Sequence, residues 1–228
     1  MDYLKEFLQR KDIQELLSEN RLDEVYRRWE YLPNVISNFL IENSINPLEY
    51  MDKVLYRMFA QLHLKHLTIP NGIKEIGQYA FGECEDLKNI IIPDSVERIG
   101  DYAFYKCTSL TSATIGNSVT RIGYQAFKYC SSMTSITIGE SVKSIGDYAF
   151  WYCESLVSVT IPDSVISIDD GAFENCTNLI SITIPDSVTS IGNGVFKYCP
   201  KLTIKVNRDN EYIKNYCSLN NITYEEIV

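Results

Sequence analysis

Residues 133–155 read Met-Thr-Ser-Ile-Thr-Ile-Gly-Glu-Ser-Val-Lys-Ser-Ile-Gly-Asp-Tyr-Ala-Phe-Trp-Tyr-Cys-Glu-Ser. This 23-residue sentence is written six times without insertion or deletion, beginning at Leu64, Leu87, Leu110, Met133, Leu156 and Leu179. A fixed period of this size marks a repeat solenoid, in which each unit hides its apolar side only against its neighbours.

Within the unit, Ile136 and Ile138 alternate with Ser135 and Thr137, the period of a strand with one buried face. Pro70, Pro93, Pro162 and Pro185, or Gly116 and Gly139 in their place, end that strand, because proline cannot donate to a continuing ladder. Val142 and Ile145, three apart, predict a short extended or turn segment on the opposite side of the coil. Gly77, Gly100, Gly123, Gly146 and Gly192 come next, where a positive φ or a close approach is expected. Asp169 holds that place in the fifth unit and is expected to tolerate left-handed geometry. The Ala-Phe pair, with Phe81, Phe104, Phe127, Phe150, Phe173 and Phe196, then predicts one helical turn that pushes its ring inward.

Stacking supplies the stability. Strands about 4.7–4.9 Å apart would pile six rungs into a prism roughly 30 Å long. Some six apolar side chains per rung, at about 1.5–3 kcal/mol each, offset the ordering entropy only when a neighbour covers both faces. End rungs therefore need caps. Residues 1–47 read as short helices forming an N-terminal cap, and 48–63 as a degenerate leading repeat, with Met51, Val54, Phe59 and Leu62 in the core register. Residues 64–201 are the repeats proper. Residues 202–228 form a C-terminal cap: Leu202–Val206 is a last strand with one residue deleted, and Tyr212, Ile213, Tyr216 and Cys217 follow at helical spacing.

The repeated Leu-Thr-Ser-Ile-Thr-Ile-Pro-Asp-Ser-Val-Thr-Ser-Ile-Gly…Ala-Phe…Cys resembles the BspA-like, treponemal-type leucine-rich repeat family, closely over residues 64–201 and loosely over the flanks. The resemblance implies a curved, right-handed leucine-rich-repeat β-solenoid. It also implies, as in many members of that family, a surface-exposed or secreted role in adhesion or host interaction.

Charge and composition exclude several classes. With 21 basic against 30 acidic residues the net charge is −9, and no Lys/Arg-rich block exists, so neither nucleic-acid backbone nor anionic lipid is an expected partner. The start Met1-Asp2-Tyr3-Leu4-Lys5-Glu6 lacks a secretory leader's basic and apolar regions, and no stretch is apolar enough to span a bilayer. The expected location is cytoplasmic, with a surface or secreted location as the alternative if a leader was removed. Cys84, Cys107, Cys130, Cys153, Cys176 and Cys199 recur at the repeat interval and predict a ladder of small buried residues. Neither paired Cys nor clustered His offers a metal site, and no cofactor is expected.

His63 and His66 are the two histidines, both at the start of the repeats, so no nucleophile further along has a base within reach and no catalytic residue is assigned. Asp94, Asp163 and Asp186, with Asn71, Asn117 and Glu140, follow the strand-ending residue and are expected to make turn hydrogen bonds. The Ser/Thr rows on the strands' outer face suit a pleated surface and read as scaffold.

The turn after Ala-Phe is different. Tyr105, Tyr129, Trp151, Tyr152 and Tyr198 stand there, flanked by Tyr102, Tyr124 and Tyr148. The corresponding places hold Gly82 and Glu83 in the first unit and Glu174 and Asn175 in the fifth, so the fold does not require rings. Such rings either stack on one another between rungs or bind a partner, since Tyr and Trp are enriched at hot spots. The candidate partner-binding residues are Tyr102, Tyr105, Tyr129, Tyr148, Trp151 and Tyr152. The expected function is a non-catalytic protein–protein interaction scaffold, an intracellular effector or inhibitor of a protein partner. The alternative is a cell-surface adhesin or carbohydrate-binding module whose leader or anchor is absent from this chain.

Overall fold

A computed structural model of the chain describes Lys11, residues 65–69, 71 and 73–227, with the backbone alone for 66–68. The expected helical cap (1–47), apart from Lys11, and the leading repeat (48–63) lie outside the described residues.

The strands alternate between two faces. In chain order they are β1 (His66–Thr68), β2 (Glu75–Ile76), β3 (Asn89–Ile91), β4 (Arg98–Ile99), β5 (Ser112–Thr114), β6 (Arg121–Ile122) and β7 (Ser135–Thr137). They continue with β8 (Ser144–Ile145), β9 (Ser158–Thr160), β10 (Ser167–Ile168), β11 (Ser181–Ile184), β12 (Ser190–Ile191) and β13 (Thr203–Asn207). A helix, α1 (Glu211–Leu219), and a last strand, β14 (Thr223–Ile227), complete the chain. The odd-numbered strands and β14 form one eight-stranded sheet in the order β1-β3-β5-β7-β9-β11-β13-β14, and the even ones up to β12 form a six-stranded sheet. The pairings are parallel, and from β1 to β12 they join equivalent residues of successive units, as Ala113 with Ile136 and Ile122 with Ile145. The fold is a parallel β-solenoid of about seven turns.

Each coil is filled from three sides. In the third unit Leu110, Ala113, Ile115, Val119, Ile122, Ala126, Phe127 and Cys130 are all 2% exposed or less, so a rung buries more than the six side chains expected. The Phe rings stack along the axis at centroid separations of 5.2, 4.9, 5.4, 5.1 and 5.8 Å from Phe81 to Phe196. Beside them runs the thiol ladder: Cys107, Cys130, Cys153, Cys176 and Cys199 each donate S–H to the carbonyl of a Phe one coil earlier, at 3.1–3.3 Å. Burial pushes the thiols of Cys153 and Cys176 well up.

The third side corrects two expectations. The Ala-Phe segment does push its ring inward, but it is a run of tight turns, not a helical turn. Ala126, Lys128 and Cys130 donate N–H three residues back within the coil, while Gln125, Phe127 and Tyr129 donate to Asp147, Ala149 and Trp151 of the next one. Alternate amides thus serve turn and stack in succession, which regular helix would forbid. Neither the repeated glycine nor Asp169 adopts a positive φ. From the second unit on, glycine at this place answers a close approach: a Cβ on Gly123 would sit 2.6 Å from the carbonyl carbon of Gly100, although Asp169 is accommodated in the fifth unit. The expected turn hydrogen bonds run between coils as well, since Asp94 accepts the N–H of Asn117, and Asn117 that of Glu140.

The C-terminal end closes the stack as the deletion in residues 202–206 requires. β13 pairs with β11 one residue out of the usual interval, Ser181 with Thr203, and β14 adds outside it. α1 takes the place of the short strand and turn. Asn210 caps it by accepting the N–H of Ile213, and its side-chain N–H donates to Asp186. Ile213 and Cys217 are fully buried, which locates the one thiol outside the ladder, and Tyr216 meets the last ring, Phe196, edge-on at 6.3 Å.

Candidate functional site

The turn side owes its surface to backbone geometry. Two places in every unit are left-handed: Tyr79, Tyr102, Gln125 and Tyr148 hold the first, at φ of 52–57°. Glu83, Lys106, Tyr129, Tyr152, Asn175 and Tyr198 hold the second, at 56–64°. Gly171 and Gly194 take the first place in the last two units. A bulky residue in that region costs about 1–2 kcal/mol and persists only where surrounding contacts impose it. Here the rung-to-rung amides impose it, as where Tyr102 donates to Tyr124 and Tyr129 to Trp151.

The result is a connected lattice of rings. Tyr79 stacks on Tyr102 at 4.4 Å, and Tyr102 meets Tyr105 and Tyr124 edge-on at 5.7 and 5.2 Å. The lattice continues through Tyr105–Tyr129 at 6.0 Å, Tyr124–Tyr148 at 6.4 Å and Tyr129–Tyr152 at 5.2 Å. Trp151 joins Tyr129, Tyr148 and Tyr152 at 5.6, 5.4 and 5.0 Å. All six candidate residues belong to it, together with Tyr124 and with Tyr79, which the sequence reading passed over. They are half-buried, whereas Tyr198 stands apart and 59% exposed.

Two lysines were also missed, because nothing in a repeat pattern singles out a cation. Lys128 Nζ lies 4.0 Å from the Trp151 ring, 5.1 Å from Tyr129 and 5.9 Å from Tyr105, and Lys106 Nζ lies 5.3 Å from Tyr105. Partial burial, and then repulsion from Lys106, lower the Lys128 ammonium below the ordinary lysine value. Burial and the neighbouring phenols of Tyr124 and Tyr79 raise Tyr102 above the ordinary tyrosine value. The indole N–H of Trp151 is buried and unpaired among the described residues.

Alongside the lattice lies an axial cleft of about 400 Å³, lined by Glu85, Tyr105, Lys106, Thr108, Tyr129, Ser131, Tyr152 and Glu154. It crosses four successive units. Among the described residues no cluster of His, Cys, Asp and Glu is suited to a metal ion, and no helix is long and apolar enough to cross a membrane.

The repeat itself is recognised at the level of families. The profile of the BspA type leucine rich repeat region matches six copies, over residues 52–156 and 97–225. The chain belongs to this family. Among solved structures, this BspA-type chain is 28% identical to a leucine-rich repeat protein of T. pallidum, with a TM-score of 0.62, covering 72% of this chain and 86% of that one. It is 29% identical to a leucine-rich repeat protein of Bacteroides ovatus, TM-score 0.53, covering 75% and 56%. A leucine rich cell surface protein of Faecalibacterium prausnitzii is 36% identical over 63% of this chain and 48% of its own, TM-score 0.46. No curated protein matches.

Proposed function

We propose that the chain is a non-catalytic scaffold that binds a protein partner through the aromatic side of its turns, with Tyr102, Tyr105, Tyr129, Tyr148, Trp151 and Tyr152 as the contact residues. Membership of a leucine-rich repeat family supports the scaffold role. The observation that carries the assignment to this face is the half-exposed ring lattice over successive central coils, in a fold that fills the same places with Gly82 and Glu83 elsewhere. Rings held by their neighbours lose little freedom on binding, which is what makes a rigid aromatic surface an effective anchor.

The partner is basic where it meets this chain, given the net charge of −9. Seven free thiols, five of them donating S–H to backbone carbonyls, fit a reducing compartment and an effector or inhibitor role there. The test is affinity capture from a lysate of the source cells with three baits: the wild-type chain, the Tyr129→Ala/Tyr152→Ala variant, and Ile91→Ser on the exposed strand face. A partner lost only with the aromatic variant supports the assignment. A partner lost only with Ile91→Ser moves the interface to the strands, and capture of glycans in place of protein supports an adhesin.

A further inference from the structure

We propose that the axial cleft beside the ring lattice is a peptide site, which seats a lysine or arginine of an extended segment over Tyr152 against Glu154 and runs that segment down to Glu85. The proposal rests on the interaction role given above and specifies its chemistry. Dimensions come first. The cleft is lined from Glu85 in the first unit to Glu154 in the fourth. Three inter-coil steps of about 4.8 Å give roughly 14 Å. That is the length of about four extended residues at roughly 3.3–3.6 Å each. A volume of about 400 Å³ matches a few side chains and not a folded domain.

The lining decides the chemistry. One wall carries tyrosine rings and the other the row Glu85, Thr108, Ser131 and Glu154, so carboxylates stand at both ends and hydroxyls between them. Glu85 and Glu154 are exposed, and neither forms an ion pair among the described residues. The lattice already binds ammonium groups: Lys128 sits over Trp151, Tyr129 and Tyr105, and Lys106 over Tyr105. Tyr152 is the one ring of the cleft over which no described cation lies. It lines the cleft together with Glu154 of the same unit, and a ring near a carboxylate binds a cation through π-face and charge together. Lys106 sets the register by repelling a second cation from the Tyr105 ring, leaving Glu85, beyond it, to accept a backbone N–H of the segment. The net charge of −9 steers such a segment inward.

The test is a titration of the full chain with a fluorescently labelled, acetylated and amidated Gly-Arg-Gly-Arg-Gly peptide, set beside the same peptide with citrulline for arginine and beside cellotetraose as a neutral glycan. The arginine peptide is expected to bind at least tenfold more tightly than the citrulline peptide. Glu154→Gln and Tyr152→Ala are expected to weaken it fivefold or more, and Glu85→Gln by a smaller factor. Glu97→Gln, just before β4 of the six-stranded sheet, where Glu97 pairs with Lys74 at 2.8 Å, is expected to leave binding unchanged. The Glu→Gln variants keep side-chain volume at exposed positions, so equal melting temperatures establish that each is folded. Equal weakening by Glu97→Gln and Glu154→Gln would reduce the effect to overall charge and overturn the site, as would binding of cellotetraose in preference to the peptide, or no binding at all. A captured protein partner that depends on Tyr129 and Tyr152 but ignores Glu154→Gln and is not displaced by the peptide overturns the cleft alone, leaving the aromatic interface standing.

Discussion

The ring of Tyr148 lies directly over Gly171, its counterpart in the next coil: a Cβ built on Gly171 would fall 2.4 Å from Tyr148 Cε1. The column Tyr79, Tyr102, Gln125, Tyr148 thus continues into a residue with no side chain, and the ring of Tyr148, which meets Tyr124 edge-on and Trp151 at a 55° tilt, takes the space a Cβ would need.

Gly171→Ala and Gly194→Ala separate ring packing from backbone strain. Both residues are left-handed, at φ of 60° and 62°, so each substitution costs about 1 kcal/mol or somewhat more in backbone energy. Only Gly171 has a ring in the way; around Gly194 the nearest atoms are those of Lys197 at 3.8 Å. Urea unfolding is expected to show Gly171→Ala less stable by about 2–3 kcal/mol and Gly194→Ala by about 1 kcal/mol. Equal costs would mean that Tyr148 does not pack on Gly171.

Stability is expected to fall steeply above pH 9. Burial raises the thiols of Cys199 and Cys217 from 9.0 to about 11, and those of Cys84, Cys130, Cys153 and Cys176 further. Below pH 9 both the folded and the unfolded chain keep these protons, and the full stability is present. Above it the unfolded chain ionises first, so stability drops by about 1.4 kcal/mol per pH unit for each thiol until the folded values are passed. Lys128, lowered in the folded chain, acts in the opposite direction but is one group against six. Melting temperatures under reductant from pH 7.5 to 10.5 test this, and a level profile would contradict the buried ladder.

The C-terminal cap carries a single-atom test. The hydroxyl of Tyr212 on α1 accepts the N–H of Ile191, in the last strand of the six-stranded sheet, at 3.0 Å. Tyr212→Phe leaves that edge amide to water, at a cost of about 0.5–1 kcal/mol. Hydrogen exchange at the Ile191 amide is expected to accelerate while exchange at the central coils stays unchanged.

The repeat was legible because its information is redundant: six copies state the period, the strand and the inward Phe, and the missing residue before Thr203 appears in the structure as a one-residue shift of register. The turn conformation was not legible, since tyrosine at a left-handed position is a rare choice that only rung-to-rung amides impose. Glycine at the preceding corner left two readings open, a positive φ or a close approach, and the structure selects the second. The candidate rings could be named from their departure from the repeat, but their mutual contacts could not. Tyr79 fell outside the named set because it stands in the first unit, away from the Trp-Tyr pair, and Lys128 because its role depends on three rings from three coils.

Replacing Trp151 and Tyr152 together with alanine addresses the proposed interaction face most directly. Half-buried rings that pack mainly on one another lose contacts worth about 0.5–1.5 kcal/mol each, well below the roughly 3–5 kcal/mol of a core aromatic such as Phe127. Calorimetric titration of the purified partner against wild type and the Trp151→Ala/Tyr152→Ala variant, with melting curves on the same samples, is the decisive measurement. The predicted result is a melting temperature lowered by a few degrees and a binding loss of about 2 kcal/mol or more. Undiminished affinity, or unfolding as severe as that of Phe127→Ala with binding retained on cooling, would mean that the rings serve packing and that the partner docks elsewhere.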